Sequence, residues 1–237
     1  MNNQPIEKRV RNSDGRTLNI VSVFPTLQGE GPFTGRRAIF VRLAGCNLQC
    51  PLCDTDYTTN RRNVSVSSIV ETIQSLLPRV QSSYGASNPL VVITGGEPFR
   101  QRVAILANML IELGFDVQIE TNGTLAPEAD LHHSVVIVCS PKAGGINPKL
   151  ASRADCYKYV MSSDSVGDDG LPIFALDHSA KPCVARPPEG NTNPIYLQPA
   201  DQKNIAQNHR NVAAVRDSCM RNGYILQLQV HKIVGVE

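Results

Sequence analysis

Tryptophan is absent from this 237-residue chain and aromatic residues make up only 5% of it. Aliphatic side chains must therefore fill the core, and a hydrophobic fraction of 41% is enough for a sizeable one. Runs of Lys and Arg never exceed two residues and the net charge is only +2. That excludes the basic footprint of a nucleic-acid binder. No apolar stretch is longer than a strand, so none reads as a membrane span. The first residues, Met1 to Pro5, lack the charged-then-apolar order of a secretory signal. Seven cysteines are an odd number, and three of them are crowded together. A secreted disulfide framework is excluded in favour of a reducing, cytoplasmic setting.

Short runs rich in β-branched residues recur at 38–43, 90–94, 115–120, 134–139, 157–161, 195–198 and 224–228. They read as strands, several of them buried on both faces. Helical spacing lies between some of them. Val66, Ile69, Val70, Ile73, Leu76, Leu77 and Val80 form one stripe, with Ser65 or Ser67 as its N-cap. Ile105 to Leu113 form a second, stopped by Gly114, and Ile205 to Cys219 a third that ends near Gly223. Alternating strands and helices predict an α/β fold with a mainly parallel sheet. Residues 1–16 read as a flexible extension and 17–237 as a single domain, with loops at 162–181 and 186–194.

The unusual residues cluster at strand ends: Cys46 to Cys53, Gly95-Gly96-Glu97-Pro98, Thr121-Asn122-Gly123-Thr124, Ser140-Pro141-Lys142 and Gln198-Pro199. Parallel α/β sheets bind ligands at the carboxyl ends of their strands, so these segments are expected to surround one pocket. The cysteines have the spacing CxxxCxxC. Structural zinc usually takes four ligands in two pairs, and no fourth ligand stands nearby. Three local thiolates favour a 4Fe–4S cluster with one open iron, and zinc with a distant fourth ligand is the alternative. The remaining cysteines, Cys139, Cys156, Cys183 and Cys219, read as core residues.

CxxxCxxC followed by Gly-Gly-Glu-Pro at a later strand end resembles the radical S-adenosylmethionine (SAM) superfamily. The likeness extends over Phe24 to Gly31, Phe40 to Cys46, Cys53-Asp54-Thr55, Ile93 to Pro98, Glu120 to Thr124, Ser140-Pro141-Lys142, Leu197-Gln198-Pro199 and His231-Lys232. In that order, these segments resemble the 7-carboxy-7-deazaguanine synthase family from about Val21 to Lys232. The resemblance implies an incomplete, TIM-like β/α barrel of about six strands. It also implies conversion of 6-carboxy-5,6,7,8-tetrahydropterin to 7-carboxy-7-deazaguanine, a step of queuosine and deazapurine biosynthesis. The ring contracts and ammonia is lost. In that family SAM on the open iron yields a 5′-deoxyadenosyl radical and is regenerated, so the cofactor carries the hard chemistry.

By the same resemblance Cys46, Cys50 and Cys53 hold the cluster and Thr55 meets Mg²⁺, a hard cation that keeps several waters. Leu27, Gln28, Gly29, Arg42 and Thr94 contact substrate, Arg42 clamping its carboxylate as a guanidinium fork can. SAM falls to Leu52, Asp54, Gly96, Ser140, Pro141, Lys142 and Gln198. Glu97, Asn122 and Glu30 are further candidates, with Glu97 equally readable as a structural carboxylate. Leu52 stands where many superfamily members carry an aromatic residue. His231 reads as a surface histidine. The family implies a homodimer, and the cluster's need for electrons a donor such as a reduced flavodoxin. Two other readings stay open: a glycyl-radical activase acting on a protein, and a zinc-stabilised binding module.

Overall fold

The computed structural model of the protein describes residues 2–80, 88–175 and 183–236. The chain runs β1 (Thr17–Leu27), β2 (Arg37–Leu43), β3 (Arg62–Ser65), α1 (Val66–Val80), β4 (Leu90–Gly95), α2 (Ala104–Glu112) and β5 (Asp116–Thr121). It continues through β6 (Val136–Cys139), α3 (Pro148–Ala151), β7 (Cys156–Met161), β8 (Ile195–Pro199), α4 (Ile205–Asn222), β9 (Ile225–Leu226) and α5 (Val230–Val234). All nine strands form one open sheet in the order β3-β1-β2-β4-β5-β6-β7-β8-β9. From β2 to β9 every neighbouring pair is parallel. β1 runs antiparallel to both β2 and β3. The expected strands are all present, although the last shrinks to Ile225–Leu226.

Two strands escape the periodicity argument, β1 and β3. β1 is the longest of the sheet at 11 residues. Its register shifts between Ile20 and Ser22, which breaks the two-residue alternation, and Pro25 inside it reads as a breaker. The three expected helices end as anticipated. The Ser65 hydroxyl accepts the Ser68 N–H at 3.1 Å. Gly114 and Gly223 take the left-handed conformation that closes α2 and α4, at φ 83° and 76°. Residues 162–175 form turns around an isolated bridge between Val166 and Pro172; the rest of that loop, 176–181, lies outside the described residues.

Strand alternation sorts the side chains onto two faces. Ile39, Val41, Leu43, Val91, Ile93, Val117, Ile119, Ile137, Cys139, Tyr157, Tyr159, Met161 and Leu197 join the main core. They pack with Ile69 and Ile73 of α1, Leu106 and Leu110 of α2, and Val215 of α4. On the inner face Ala38, Leu90 and Val92 make a smaller apolar cluster with Phe33 and Phe40. The next inward positions along the same strands are Arg42 and Thr94, which are register partners. The inner face thus turns polar toward the carboxyl ends of its strands.

Two expectations need correction. Cys183 is exposed, unlike Cys139, Cys156 and Cys219. Its position in an irregular stretch gives it no core to join. Residues before β1 are not a detached extension either. Ile6 bridges to Cys46, the Val10 N–H bonds the Arg100 carbonyl at 2.8 Å, and Glu7 pairs with Arg100 at 3.0 Å and Arg61 at 2.7 Å. Polar composition hid this, because the segment is held by hydrogen bonds and not by apolar burial.

Candidate active site

The cysteine loop leaves β2 through Ala44 and Gly45, the latter at φ 81°. An added Cβ on Gly96 would collide with the Gly45 carbonyl, so the glycine after β4 allows the two strand-end loops to touch. The Gly96 N–H bonds the Leu43 carbonyl and the Glu97 N–H the Gly45 carbonyl, each at 3.1 Å. Glu97 is wholly buried. Its carboxylate accepts from the Phe99 N–H (3.0 Å), the Thr121 hydroxyl (2.7 Å) and the Asn122 N–H (2.8 Å). Burial pushes its pKa up to about 7 against the pull of those donors.

Cys46 and Cys50 are buried and Cys53 is partly exposed. Burial raises the Cys46 thiol to about 12 and the Cys50 thiol to about 11, and Cys53 moves in the same direction. Such thiols stay protonated until a metal displaces the proton. Among the described residues no three His, Cys, Asp or Glu side chains converge as a single metal ion would require. A cubane asks for something different, because each thiolate takes its own iron. Three soft donors on one loop fit that group. Asn122 sits over the loop, its amide 4.0 Å from the Cys46 sulfur and 2.9 Å from Asn47 Oδ1. Across the sheet edge, Gln198 is buried with no partner for its Oε1. An acceptor left open in this way fits a ligand that brings a donor, as the amino and hydroxyl groups of SAM do.

Charged residues line the inner face beyond the apolar cluster. Lys158 is buried at 5% exposure. Its ammonium pairs with Glu30 through a short contact and with Glu120 at 3.6 Å. Gln28 and Gln118 donate to Glu120 at 3.0 and 2.9 Å, and the Thr94 hydroxyl donates to it at 3.4 Å. Burial works to raise the Glu30 pKa, but Lys158 and the Gln229 amide hold it down at about 2. Lys158 is held above its ordinary value, burial being outweighed by Glu120 and Glu30. Lys142 bonds the Ser140 carbonyl at 3.0 Å, and burial, then the Lys158 charge, lower its pKa. Arg42 lies over the Phe24 ring, 5.0 Å from its centre.

The C-terminal segment closes one side. The Gln227 amide accepts the Gly31 N–H at 2.7 Å and donates to the Thr34 hydroxyl at 2.8 Å. The Val230 N–H bonds the Gly29 carbonyl at 3.3 Å. A Cβ at position 29 would occupy the space of the His231 ring, so any side chain there requires that ring to move. Lys232 spans Asp54 and Asp201, 3.4 Å from each.

The sequence-predicted residues therefore meet along one edge of the sheet. Gln28, Glu30, Arg42 and Thr94 share the inner face, while Ser140, Lys142, Asn122 and Asp54 border it. Leu27 ends β1, Thr55 follows the cysteine loop, and Pro141 lies beside Ser140. Leu52, inside the cysteine loop, is exposed at 38%. Sequence reasoning missed Glu120, Lys158, Gln227 and Gln229, and it dismissed His231. Lys158 had a signal, since it interrupts an apolar strand as Arg42 does, whereas Glu120 is one of several polar positions in an alternating strand.

A family described as a 4Fe-4S single cluster domain matches residues 27–120. The chain is 41% identical over 230 residues to a 7-carboxy-7-deazaguanine synthase of Rhodospirillum rubrum, with 94% of each chain covered. It is 32% identical to the synthase of Escherichia coli, over 92% of this chain and 98% of that protein. The crystal structure of QueE from Escherichia coli aligns with a TM-score of 0.66 and 25% identity, covering 92% of this chain and 99% of that one. The glycyl-radical activase and the zinc module give way to this likeness, which spans nearly the whole chain. With its cysteine loop at the mouth of an open β/α barrel, the protein belongs to the 7-carboxy-7-deazaguanine synthase family of radical SAM enzymes.

Proposed function

We propose that this protein contracts the ring of 6-carboxy-5,6,7,8-tetrahydropterin to give 7-carboxy-7-deazaguanine with loss of ammonia. The observation that carries the reading is one sheet edge where a three-cysteine loop adjoins a charged inner face, in a chain that belongs to the synthase family. Cys46, Cys50 and Cys53 would hold the cluster. Gly96, Ser140, Pro141, Lys142, Leu52, Asp54 and Gln198 would hold SAM. Together these groups supply the hydrogen-abstracting radical when bound.

The chain's own residues do the binding and orienting. Arg42 offers a guanidinium fork to the substrate carboxylate from the strand that precedes the cysteines. Glu120 and Glu30 are acceptors, suited to the N–H-rich edge of a pterin, and Lys158 stands between them. Gln28 and Gly29 present amide and backbone groups from a loop that Gln229 and His231 cover. The apolar cluster of Ala38, Leu90 and Val92 floors the site and excludes water. Thr55 would share Mg²⁺ with substrate oxygens. A homodimer, a cytoplasmic setting and a low-potential donor of the flavodoxin type complete the proposal.

The test is anaerobic reconstitution with iron and sulfide. The wild-type protein should turn brown and cleave or turn over SAM once reduced. Cys50→Ala should lose both the visible absorbance and all SAM chemistry. Intact SAM cleavage by Cys50→Ala would contradict the assignment.

A further inference from the structure

Residues 2–7 cross the cysteine loop and bond its backbone at Cys46, at Cys50 and Pro51, and at Thr55, two residues past Cys53. The Glu7 N–H donates to the Cys46 carbonyl at 2.7 Å. The Asn2 amide donates to the Cys50 carbonyl at 3.2 Å, and the Asn2 N–H to the Pro51 carbonyl at 3.1 Å. Gln4 then grips the stretch that follows Cys53. Its Nε2 donates to the Thr55 carbonyl at 2.9 Å, and its Oε1 accepts the Tyr57 N–H at 2.7 Å. The Gln4 amide thereby copies the pairing a neighbouring strand would provide.

The gripped segment matters for what projects from it. The Thr55 carbonyl that Gln4 binds also accepts from the Cys53 thiol, at 3.7 Å. Tyr57 is buried, and its carbonyl accepts the Gly45 N–H at 3.0 Å, one residue before Cys46. Its hydroxyl donates to the Leu48 carbonyl at 3.4 Å. Fixing 55–57 therefore fixes both ends of the loop. Gln4 is itself preorganised, since Asn2 Oδ1 accepts both its N–H (3.0 Å) and its Nε2 (3.2 Å). The Gln49 amide ties the loop back to the Gln4 carbonyl at 2.8 Å.

We propose that Gln4 is a positioning residue for the cysteine loop, the pin of an N-terminal strap that sets where the Cys53 thiolate and Thr55 stand. A loop without this pin keeps its three sulfurs but loses their preset spacing, so it must be ordered each time it takes up iron. The proposal rests on the reading that this loop holds a 4Fe–4S cluster.

Gln4→Leu keeps the side-chain volume and removes the hydrogen bonds. Wild type and variant are reconstituted anaerobically, and iron release to EDTA is followed together with the EPR spectrum of the reduced protein plus SAM. The variant should release iron roughly tenfold faster, the ratio that two or three neutral hydrogen bonds sustain. Its EPR spectrum should be broadened relative to wild type. Thermal unfolding midpoints of the metal-free proteins should differ by only a few degrees, because Gln4 is a half-buried residue outside the main core. Equal release rates and identical spectra would overturn the role of Gln4. A wild-type protein that takes up no iron and sulfide would sink the cluster reading and this proposal together, and the two failures are distinct.

Discussion

Lys158 carries the most charge compensation of any single side chain in the site. It stands, itself buried, between Glu30 and Glu120. Lys158→Met preserves the stem and leaves two carboxylates unpaired. Removing one partner of a buried pair costs about 3–5 kcal/mol, so urea unfolding should show a loss of that size near neutral pH. Its pH dependence has a definite sign. Glu30 is held below its ordinary value, at about 2. The stability it contributes is complete above its ordinary carboxylate pKa and drains away as the pH falls toward about 2. Lys158 is held above its ordinary value, so its share persists through neutrality and disappears only in strong alkali. The gap between wild type and Lys158→Met should therefore be flat around neutrality and shrink in acid. A second residue prediction concerns Arg42. Arg42→Ala should weaken substrate binding by about 2–5 kcal/mol and leave the iron content unchanged; titration calorimetry on the reconstituted protein reads the first and iron analysis per chain the second. Arg42 was legible in the sequence because it precedes the cysteines in an apolar strand. Lys158 broke its strand in the same way and went unread, while Glu120 was hidden among the other polar positions of β5. A run with one charge can be buried on both faces or on one, and only the sheet order says which face has water or ligand.

At the level of elements, the turn after β4 is built around an acceptor. Three donors point at the Glu97 carboxylate and no acceptor faces it among its hydrogen bonds. Glu97→Gln would aim an N–H₂ group at those donors, and a buried unmade bond costs about 1–3 kcal/mol. A lowered urea midpoint with an unchanged slope is the expected result. These bonds favour the structural side of the two roles open to Glu97 in the sequence. Gly96→Ala acts differently, since its Cβ would enter the Gly45 carbonyl beside Cys46. Reconstituted Gly96→Ala should bind well under stoichiometric iron, measured per chain, even where circular dichroism reports a folded protein. The helices and the parallel strands were readable because burial on one stripe or on both faces leaves a period. β1 was not, because its register shift moves the inward set from one phase to the other. β3, four residues long and half exposed, carries too little pattern to register. The strap before β1 was unreadable for a third reason: side-chain amides bonded to backbone leave no hydrophobic trace.

The whole molecule gathers distant segments at one sheet edge. Segments far apart in sequence are bonded in space: residues 2–7 to the cysteine loop, and the C-terminal segment to the Gln28–Gly31 loop and to Asp54. The open sheet makes this possible, because its carboxyl edge receives the loops after β2, β4, β5 and β6 side by side. Strand ends named the site, whereas its walls came from residues whose neighbours are non-local. The central claim is that this edge performs the ring contraction. One measurement tests it most directly: the mass of the product formed anaerobically from 6-carboxy-5,6,7,8-tetrahydropterin with SAM, Mg²⁺ and a reductant. The account predicts 7-carboxy-7-deazaguanine, ammonia released in equal amount, and SAM recovered intact. Reconstituted, iron-loaded protein that cleaves SAM yet leaves the pterin unchanged would contradict it.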